Sequence, residues 1–218
     1  MYLPSHFRVD DLPTLHDFIE RHSFATLVTE GIDGPFATHL PLLLDRERGR
    51  YGTLRGHFAR ANPHARLDHA VRTSLVIFHG PHAYVSPSWY SGTTPGVPTW
   101  NYAAVHASGR LALFDDAART AAIVEELVRV HESPLPFPWK NDLPADVHEK
   151  LLASIVGFEL PIERLEGKFK LSQNRPEEDR AGAKAGLESR GDPASRAVAE
   201  LMGDWHEFST TDLTDGHG

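Results

Sequence analysis

Short apolar runs separated by turn residues fill the first 115 positions, and they limit the fold more than any other feature. Two runs rich in β-branched and aromatic residues, 24–29 and 36–42, flank the segment 31–35, which contains two glycines and a proline. This pattern predicts a β-hairpin. Further strand-like runs follow at 51–58, 74–78, 83–86 and about 100–114. Strands joined by short turns favour an antiparallel barrel over a doubly wound parallel sheet.

Helical patterns are fewer. Apolar spacing after a capping residue predicts helices that begin near residues 12, 117 and 145, and the Asn-Pro pair at 62–63 predicts a crossing helix. We expect Gly80 and Pro81 to form a turn that interrupts a strand, and 156–171 to form a last strand pair. The segment after residue 175 reads as two short helices divided at Gly191.

The length and composition indicate one main domain with an appendage. The chain has 218 residues, 40% of them hydrophobic, which is enough for a single large core. We expect a barrel domain over 1–175, a helical C-terminal extension over 176–209 and a disordered end over 210–218.

Charge and cysteine content exclude several classes of protein. The net charge is −8, and ten acidic against five basic residues lie from Arg175 onward, so unspecific nucleic-acid binding is not expected. There is no cysteine, which excludes disulfides, thiolate metal sites and a cysteine nucleophile and favours the cytoplasm. We expect neither a secretory signal nor a membrane span, because no apolar stretch approaches eighteen residues.

Common nucleotide, hydrolase and metal motifs are missing. The sequence contains no G-x-G-x-x-G, no phosphate loop, no G-x-S-x-G elbow and no H-E-x-x-H pair. Fourteen histidines invite a metal interpretation, but their spacing favours scattered structural or exposed roles, and we predict no metal site. A haem ligand among them stays an alternative.

Three segments carry groups suited to a flat, phosphorylated ligand. The segments 86–90 and 97–102 combine tryptophan and tyrosine, which stack on rings, with hydroxyl and amide groups that bond to ring edges. The alternative for these aromatic residues is a role in a core or a dimer contact. The segment 167–175 adds three cations and two amides, which suit phosphate capture, although a solvated surface has the same composition.

Taken together, these segments resemble the PaiB family of FMN-binding negative transcriptional regulators, which are flavin split barrels. The resemblance covers about residues 1–190. It rests on Met1-Tyr2-x-Pro4-x-His6-Phe7, Phe24-Ala25-Thr26-Leu27-Val28, His39-Leu40-Pro41, Gly56-His57-x-Ala59-Arg60-Ala61-Asn62-Pro63, Phe78-x-Gly80-Pro81-x-Ala83-Tyr84-Val85-Ser86-Pro87-Ser88-Trp89-Tyr90, Val97-Pro98-Thr99-Trp100-Asn101-Tyr102, Ile155-Val156-Gly157 and Gly167-Lys168-x-Lys170-x-Ser172-Gln173-Asn174-Arg175.

The resemblance implies a mostly β fold, a six-stranded antiparallel FMN-binding split barrel with flanking helices and a helical C-terminal tail. It also implies a homodimer with FMN in a cleft made by both chains. The phosphate and ribityl chain would contact Thr38, His39, His57, Arg60 and Asn62. The ring would meet Thr99, Trp100 and Asn101 of the partner chain, and the remaining predicted contacts are Ser86, Trp89, Tyr90, Lys168, Lys170 and Gln173.

Three functions are compatible with these residues. The first is a negative transcriptional regulator. The two-helix tail is the best candidate for reading DNA, but its acidic charge opposes that role. The second is an FMN-dependent oxidoreductase acting on a small molecule, although no residue stands out as a catalytic acid or base. The third is a haem-binding or haem-degrading protein of similar fold.

Overall fold

The computed structural model of this chain describes residues 1–31, 33–67, 69, 72–92 and 95–211, with side chains as far as residue 203. These residues form ten strands and five α-helices. The strands are β1 (Arg8–Val9), β2 (Phe24–Gly31), β3 (Gly34–Pro41), β4 (Leu43–Asp45), β5 (Thr53–Ala59), β6 (Ser74–Val85), β7 (Thr99–Gly109), β8 (Ala112–Phe114), β9 (Ile155–Pro161) and β10 (Arg164–Lys170). The helices are α1 (Leu12–Arg21), α2 (Ala117–Glu132), α3 (Ala145–Ala153), α4 (Glu177–Arg190) and α5 (Pro193–Thr211).

The chain divides into two compact units. The central unit comprises Asp11–Phe78 and Val105–Leu165, and the terminal unit comprises Met1–Asp10, His79–Ala104 and Glu166–Gly218. The unit boundaries cross β6 and β7. Because α4 and α5 fall in the same unit as β1, the separation of the tail at residue 176 stays a prediction.

The strands of the central unit pair antiparallel in two sheets. One has the order β4-β5-β9-β8, and the other has the order β6-β2-β3. The predicted hairpin is present: β2 and β3 pair from Phe24 opposite Pro41 to Gly31 opposite Gly34. Gly34 has a φ of 115°, a conformation that favours glycine at the end of so tight a turn.

The core of the central unit follows from the alternation of its strands. Phe58, Phe78 and Phe158 are almost fully buried, and the rings of Phe58 and Phe158 stack with centroids 4.4 Å apart. Helix α2 adds Ile123 and Leu127 to a cluster with Leu43. The N-cap of α2 is Asp116, whose carboxylate accepts a hydrogen bond from the backbone N–H of Arg119 at 3.0 Å.

The terminal unit joins strand ends to the two C-terminal helices. Its strands have the order β1-β10-β7-β6, and β1 and β10 pair antiparallel. Helices α4 and α5 bury Leu187 and Val198. Gly191 ends α4 with a φ of 71°, and Asp192 begins the next turn by accepting a hydrogen bond from Ser195 N–H at 2.9 Å.

Three local predictions need correction. Strand β6 continues through Gly80 and Pro81 without a turn. It pairs with β2 only over 74–77, so Pro81 lies beyond that stretch and removes no backbone hydrogen bond to β2. The long strand predicted at 100–114 is broken between Gly109 and Ala112. The crossing helix is one 3-10 turn, Pro63–Arg66.

The predicted disordered end over 210–218 stays a prediction. Helix α5 continues to Thr211, two residues into the predicted disordered end. The rest of that predicted segment, 212–218, lies outside the described residues. None of the described helices is long and apolar enough to span a membrane.

Candidate functional site

The fourteen predicted FMN contacts fall into two groups, one in each unit. The central unit holds Thr38 and His39 on β3, His57 on β5, and Arg60 and Asn62 just after β5. The terminal unit holds Ser86, Trp89, Tyr90, Thr99, Trp100, Asn101, Lys168, Lys170 and Gln173.

In the central unit, two of the predicted residues join a hydrogen-bond network with a histidine that was not predicted. The amide of Asn62 donates to Thr38 Oγ1 at 3.2 Å, and its carbonyl oxygen accepts from the backbone N–H of His64 at 2.9 Å. Thr38 Oγ1 lies 2.7 Å from His64 Nδ1. The hydroxyl can donate to Nδ1 or accept from it, according to the tautomer of the imidazole.

His64 itself is buried, and its surroundings keep it neutral. Its ring stacks on Phe58, and burial, followed by the neighbouring His69, lowers the pKa of His64 to about 4. Nε2 of His64 and Nδ1 of His69 are both buried without a partner among the described residues. This pair was not predicted, because Asn-Pro-His indicates only the start of a helix.

The other predicted residues of the central unit differ in their exposure and in the hydrogen bonds that they form. His39 is exposed, and its Nδ1 lies 3.0 Å from Thr26 Oγ1. The Arg60 guanidinium bonds to Asp115 at 2.6 Å and to the carbonyl oxygens of Ala153 and Ile155. Burial lowers the pKa of His57, so its imidazole is neutral near pH 7.

In the terminal unit, Lys170 links two predicted residues. Its ammonium donates to Thr99 Oγ1 at 2.6 Å and to the carbonyl oxygen of Trp100 at 2.7 Å. Lys168, buried to 7% exposure, donates to the carbonyl oxygen of Tyr2 and lies 5.3 Å from the ring centre of Tyr102. β10 therefore places two ammonium groups, two residues apart, beside strand β7 and the N-terminus.

Positive charge accumulates here without a matching acid. Arg175 belongs to the segment 167–175 but is not one of the predicted FMN contacts. Its guanidinium donates a hydrogen bond to the carbonyl oxygen of Pro95 at 2.9 Å. Burial first, then repulsion from Lys168 and Arg175, lowers the pKa of Lys170. Within the described part of the chain, no carboxylate lies within 4 Å of these three cations. A bound anion would relieve their mutual repulsion.

An aromatic depression of about 380 Å³ opens in the same unit. It is lined by His79, Gly80, His82, Trp100, Tyr102 and Ala103. The Trp100 ring is 53% exposed, and the ring of Tyr84 meets it edge-on at 6.1 Å. A flat ligand can stack on the open face of such a ring.

Asn101 and Gln173 are engaged with the protein itself. Asn101 has no exposed surface, and its amide donates to Ser172 Oγ at 3.0 Å. Gln173 accepts from Leu171 N–H and donates to the carbonyl oxygen of Phe169. Ser172 has a φ of 68°, unusual for a residue with a side chain. These amides shape the turn after β10, and a direct contact with FMN stays a prediction.

The segment 86–90 packs against the C-terminal helices. Ser86 caps a 3-10 turn by accepting from Ser88 N–H at 3.2 Å, and Arg175 lies 4.7 Å over the Tyr90 ring. A Cβ added to Gly186 of α4 would overlap the indole of Trp89. Trp89 is therefore held by α4, and its stacking on a flavin also stays a prediction.

Among the described residues, no group of three or more His, Asp or Glu side chains is arranged to hold a metal ion. The histidines with unpartnered buried nitrogens occur singly or as the pair His64 and His69.

Comparisons with known proteins identify the family of this chain. Residues 1–164 match the family described as "Putative FMN-binding domain". The protease synthase and sporulation protein PAI 2 of Bacillus subtilis is 39% identical over 206 residues, covering 94% of this chain and 97% of that protein.

Two solved structures share the fold at low identity. The flavocytochrome Anf3 of Azotobacter vinelandii aligns with a TM-score of 0.57 and 17% identity, covering 80% of this chain and 75% of that one. The FAD and heme binding protein of Mycobacterium smegmatis aligns with a TM-score of 0.51 and 17% identity, covering 82% and 80%.

These findings define the class of protein: a mostly β flavin split barrel with antiparallel sheets and flanking helices, as predicted. The chain belongs to the PaiB family of FMN-binding proteins, which confirms the resemblance seen in its motifs. FMN is the cofactor of this family. The terminal unit fits it chemically, since three cations with no carboxylate within 4 Å among the described residues suit a phosphate and the open Trp100 face suits an isoalloxazine ring.

Proposed function

We propose that this chain is a cytoplasmic negative regulator of transcription of the PaiB type, which works as a homodimer and carries FMN. The observation that carries the proposal is the cluster of Lys168, Lys170 and Arg175 beside Trp100 in the terminal unit. The 39% identity to the sporulation protein of Bacillus subtilis supports the regulatory role.

Lys170 and Thr99 are the proposed hydrogen-bonding pair for the anionic part of FMN. An ammonium that now bonds only to a hydroxyl and a carbonyl oxygen can turn one of its donors to a phosphate oxygen. Bonds between charged groups are stronger than those it already makes. Bound FMN supplies redox chemistry through its ring, and the protein supplies position and charge.

The homodimer is proposed from the family resemblance and from the exposure of Trp100. A tryptophan ring that is half exposed is favoured where a ligand or a second chain covers it. In the predicted cleft, where two chains share each flavin, both the flavin and the second chain would cover the Trp100 ring.

Contact with DNA is the least supported part of the regulatory proposal. Helices α4 and α5 pack together through Leu187, Val198 and Ala199, which are buried. The segment from Arg175 onward carries five basic and ten acidic residues, which opposes binding to a phosphate backbone. Regulation through another protein therefore suits this charge better than direct reading of an operator.

Deletion of the gene tests the regulatory role. We expect a defined set of transcripts to rise when the chain is removed and to fall again when the wild-type chain is supplied. A Lys170→Met chain should fail to restore them, because it lacks the ammonium beside Thr99. A Lys184→Met chain changes an exposed lysine of α4 and should restore them fully.

Transcript levels that do not respond to deletion would overturn the regulatory proposal. If the purified flavoprotein then oxidised NADH or NADPH and reduced a small acceptor, the oxidoreductase alternative would replace it. If both variants restored the transcript levels, regulation would not depend on the ammonium of Lys170.

A further inference from the structure

A second pocket, formed by the central unit alone, has no role in the function proposed above. Its volume is about 390 Å³, and helices α2 and α3 and strands β5 and β9 all contribute to its lining. Most of the lining is apolar, with Val124, Val128, Leu151, Leu152 and Ile155 as its walls. This volume lies near the lower end of the usual range for ligand pockets, about 300–1,000 Å³, and it can hold one ring or two fused rings.

Trp139 completes the wall from the loop between α2 and α3. Four prolines occur between residues 134 and 144 and restrict this loop, and the backbone N–H of Trp139 donates to the Glu132 carboxylate at 2.6 Å. The indole is 49% exposed, and Leu151 of the pocket is 53% exposed. The loop therefore holds an aromatic ring at an open apolar site, an arrangement that favours a ligand over water.

His57 gives the pocket a polar group. Its Nδ1 is buried without a partner among the described residues, so a ligand can form a hydrogen bond only with Nε2. A neutral imidazole donates or accepts at Nε2 according to its tautomer. A hydroxyl group matches both tautomers, because it can accept and donate.

The charges around the pocket favour a neutral ligand. None of its twelve lining residues is lysine or arginine, and Glu125, the one acid, is exposed at the surface. A carboxylate or phosphate would lose its hydration without gaining a cation. We propose that this pocket binds a small neutral aromatic compound that carries a hydroxyl group, with its ring beside Trp139 and its hydroxyl at His57.

Such a ligand would give the regulator a chemical input in addition to its flavin. His57 was predicted as an FMN contact, and this proposal assigns it to the second ligand instead. The two assignments differ in one measurable respect: a ligand of the central pocket should bind at the same time as FMN.

The test is calorimetric titration of the full chain with 2-naphthol at pH 7.5, with and without saturating FMN. We expect saturable binding with a dissociation constant on the order of 100 µM, as suits a ligand of this size. Naphthalene and 2-naphthoate, which lack the neutral hydroxyl, should bind at least about tenfold more weakly.

Three variants locate the site. His57→Phe keeps the ring volume and should weaken 2-naphthol at least about tenfold, and Val128→Trp should abolish binding by filling the pocket. Leu135→Ala, at an exposed leucine outside the lining, is the matched control and should change nothing. Retained circular dichroism shows that a variant is folded, and Leu152→Phe replaces Val128→Trp if the latter does not fold.

Several results would overturn the proposal. Competition between FMN and 2-naphthol would make the pocket part of the flavin site. Equal binding of naphthalene would remove the role of His57. No binding of 2-naphthol, together with a Val128→Trp chain that loses its oligomeric state, would show that this face receives a second chain.

Discussion

Burial decides the chemistry of His64, a single residue at the centre of the hydrogen bonds of the central unit. Its Nδ1 lies 2.7 Å from Thr38 Oγ1, its ring stacks on Phe58, and Nε2 is enclosed without a partner among the described residues. The folded chain therefore holds the neutral imidazole and resists adding a second proton, since the pKa of His64 is lowered from 6.5 to about 4.

This shift predicts a dependence of stability on pH. Between pH 6.5 and 4 the unfolded chain binds a proton at His64 and the folded chain does not, so the free energy of unfolding decreases as the pH falls. Between pH 7.5 and 5 the loss is about 2 kcal/mol. Burial lowers the pKa of His57 and His22 as well, and both act in the same direction.

Urea unfolding of the wild type and His64→Asn at pH 7.5 and 5 measures this effect. We expect the variant to be less stable at pH 7.5, because the ring contact with Phe58 is lost, but to lose less stability on acidification. His39→Asn changes an exposed histidine that also bonds to a threonine hydroxyl, and it should keep the wild-type response. Equal pH dependence in all three chains would contradict the role given to His64.

At the scale of elements, helix α4 fixes the aromatic segment 86–90. Gly182 and Gly186 lie one turn apart on α4, and a Cβ on either would overlap Trp89. Glycine in a helix interior costs stability, so this close approach is the reason to have it there. The tail is thus part of the terminal unit and supports a predicted ligand segment.

Substitution of these glycines tests that contact. Gly186→Ala should destabilise the terminal unit by about 1–3 kcal/mol and shift the Trp89 fluorescence, because the indole must move. Gly203→Ala in α5 places its Cβ 3.2 Å from the flexible end of Lys184 and should stabilise the helix slightly. Thermal unfolding and fluorescence spectra of both variants provide the comparison. A Gly186→Ala chain as stable as the wild type would disprove the contact.

The elements show how far a sequence can predict this structure. Hairpin β2–β3 and helix α2 follow from local signals, a glycine-rich turn and a capping aspartate. The continuity of β6 could not be predicted, because whether Pro81 ends a strand depends on its neighbours in the sheet.

The candidate site divides in the same way. Lys170, Thr99 and Trp100 could be predicted because charge and aromatic character are visible in the residue types. The burial of Asn101, the packing of Trp89 against glycine and the pair His64 and His69 could not, since each depends on contacts between residues distant in the sequence. Long-range packing carries no local signal.

The whole molecule combines a nearly balanced body with an acidic end, seventeen basic and twenty acidic residues before Arg175 against five and ten from there on. Lys168, Lys170 and Arg175 nevertheless bring three positive charges together in the terminal unit, at β10 and the turn that follows. A local positive site in an acidic protein favours a small anion over a nucleic-acid backbone. FMN binding at that site is therefore the property to test first.

A titration of the purified chain with FMN, monitored by flavin fluorescence, with the mass determined by light scattering, tests the proposed site. We predict saturation at one FMN per chain in a particle of two 24.2 kDa chains, affinity at least about tenfold lower for Lys170→Met, and unchanged affinity for Lys184→Met. A chain that does not saturate with FMN, or a Lys170→Met chain that binds it as tightly as the wild type, would contradict the proposed site.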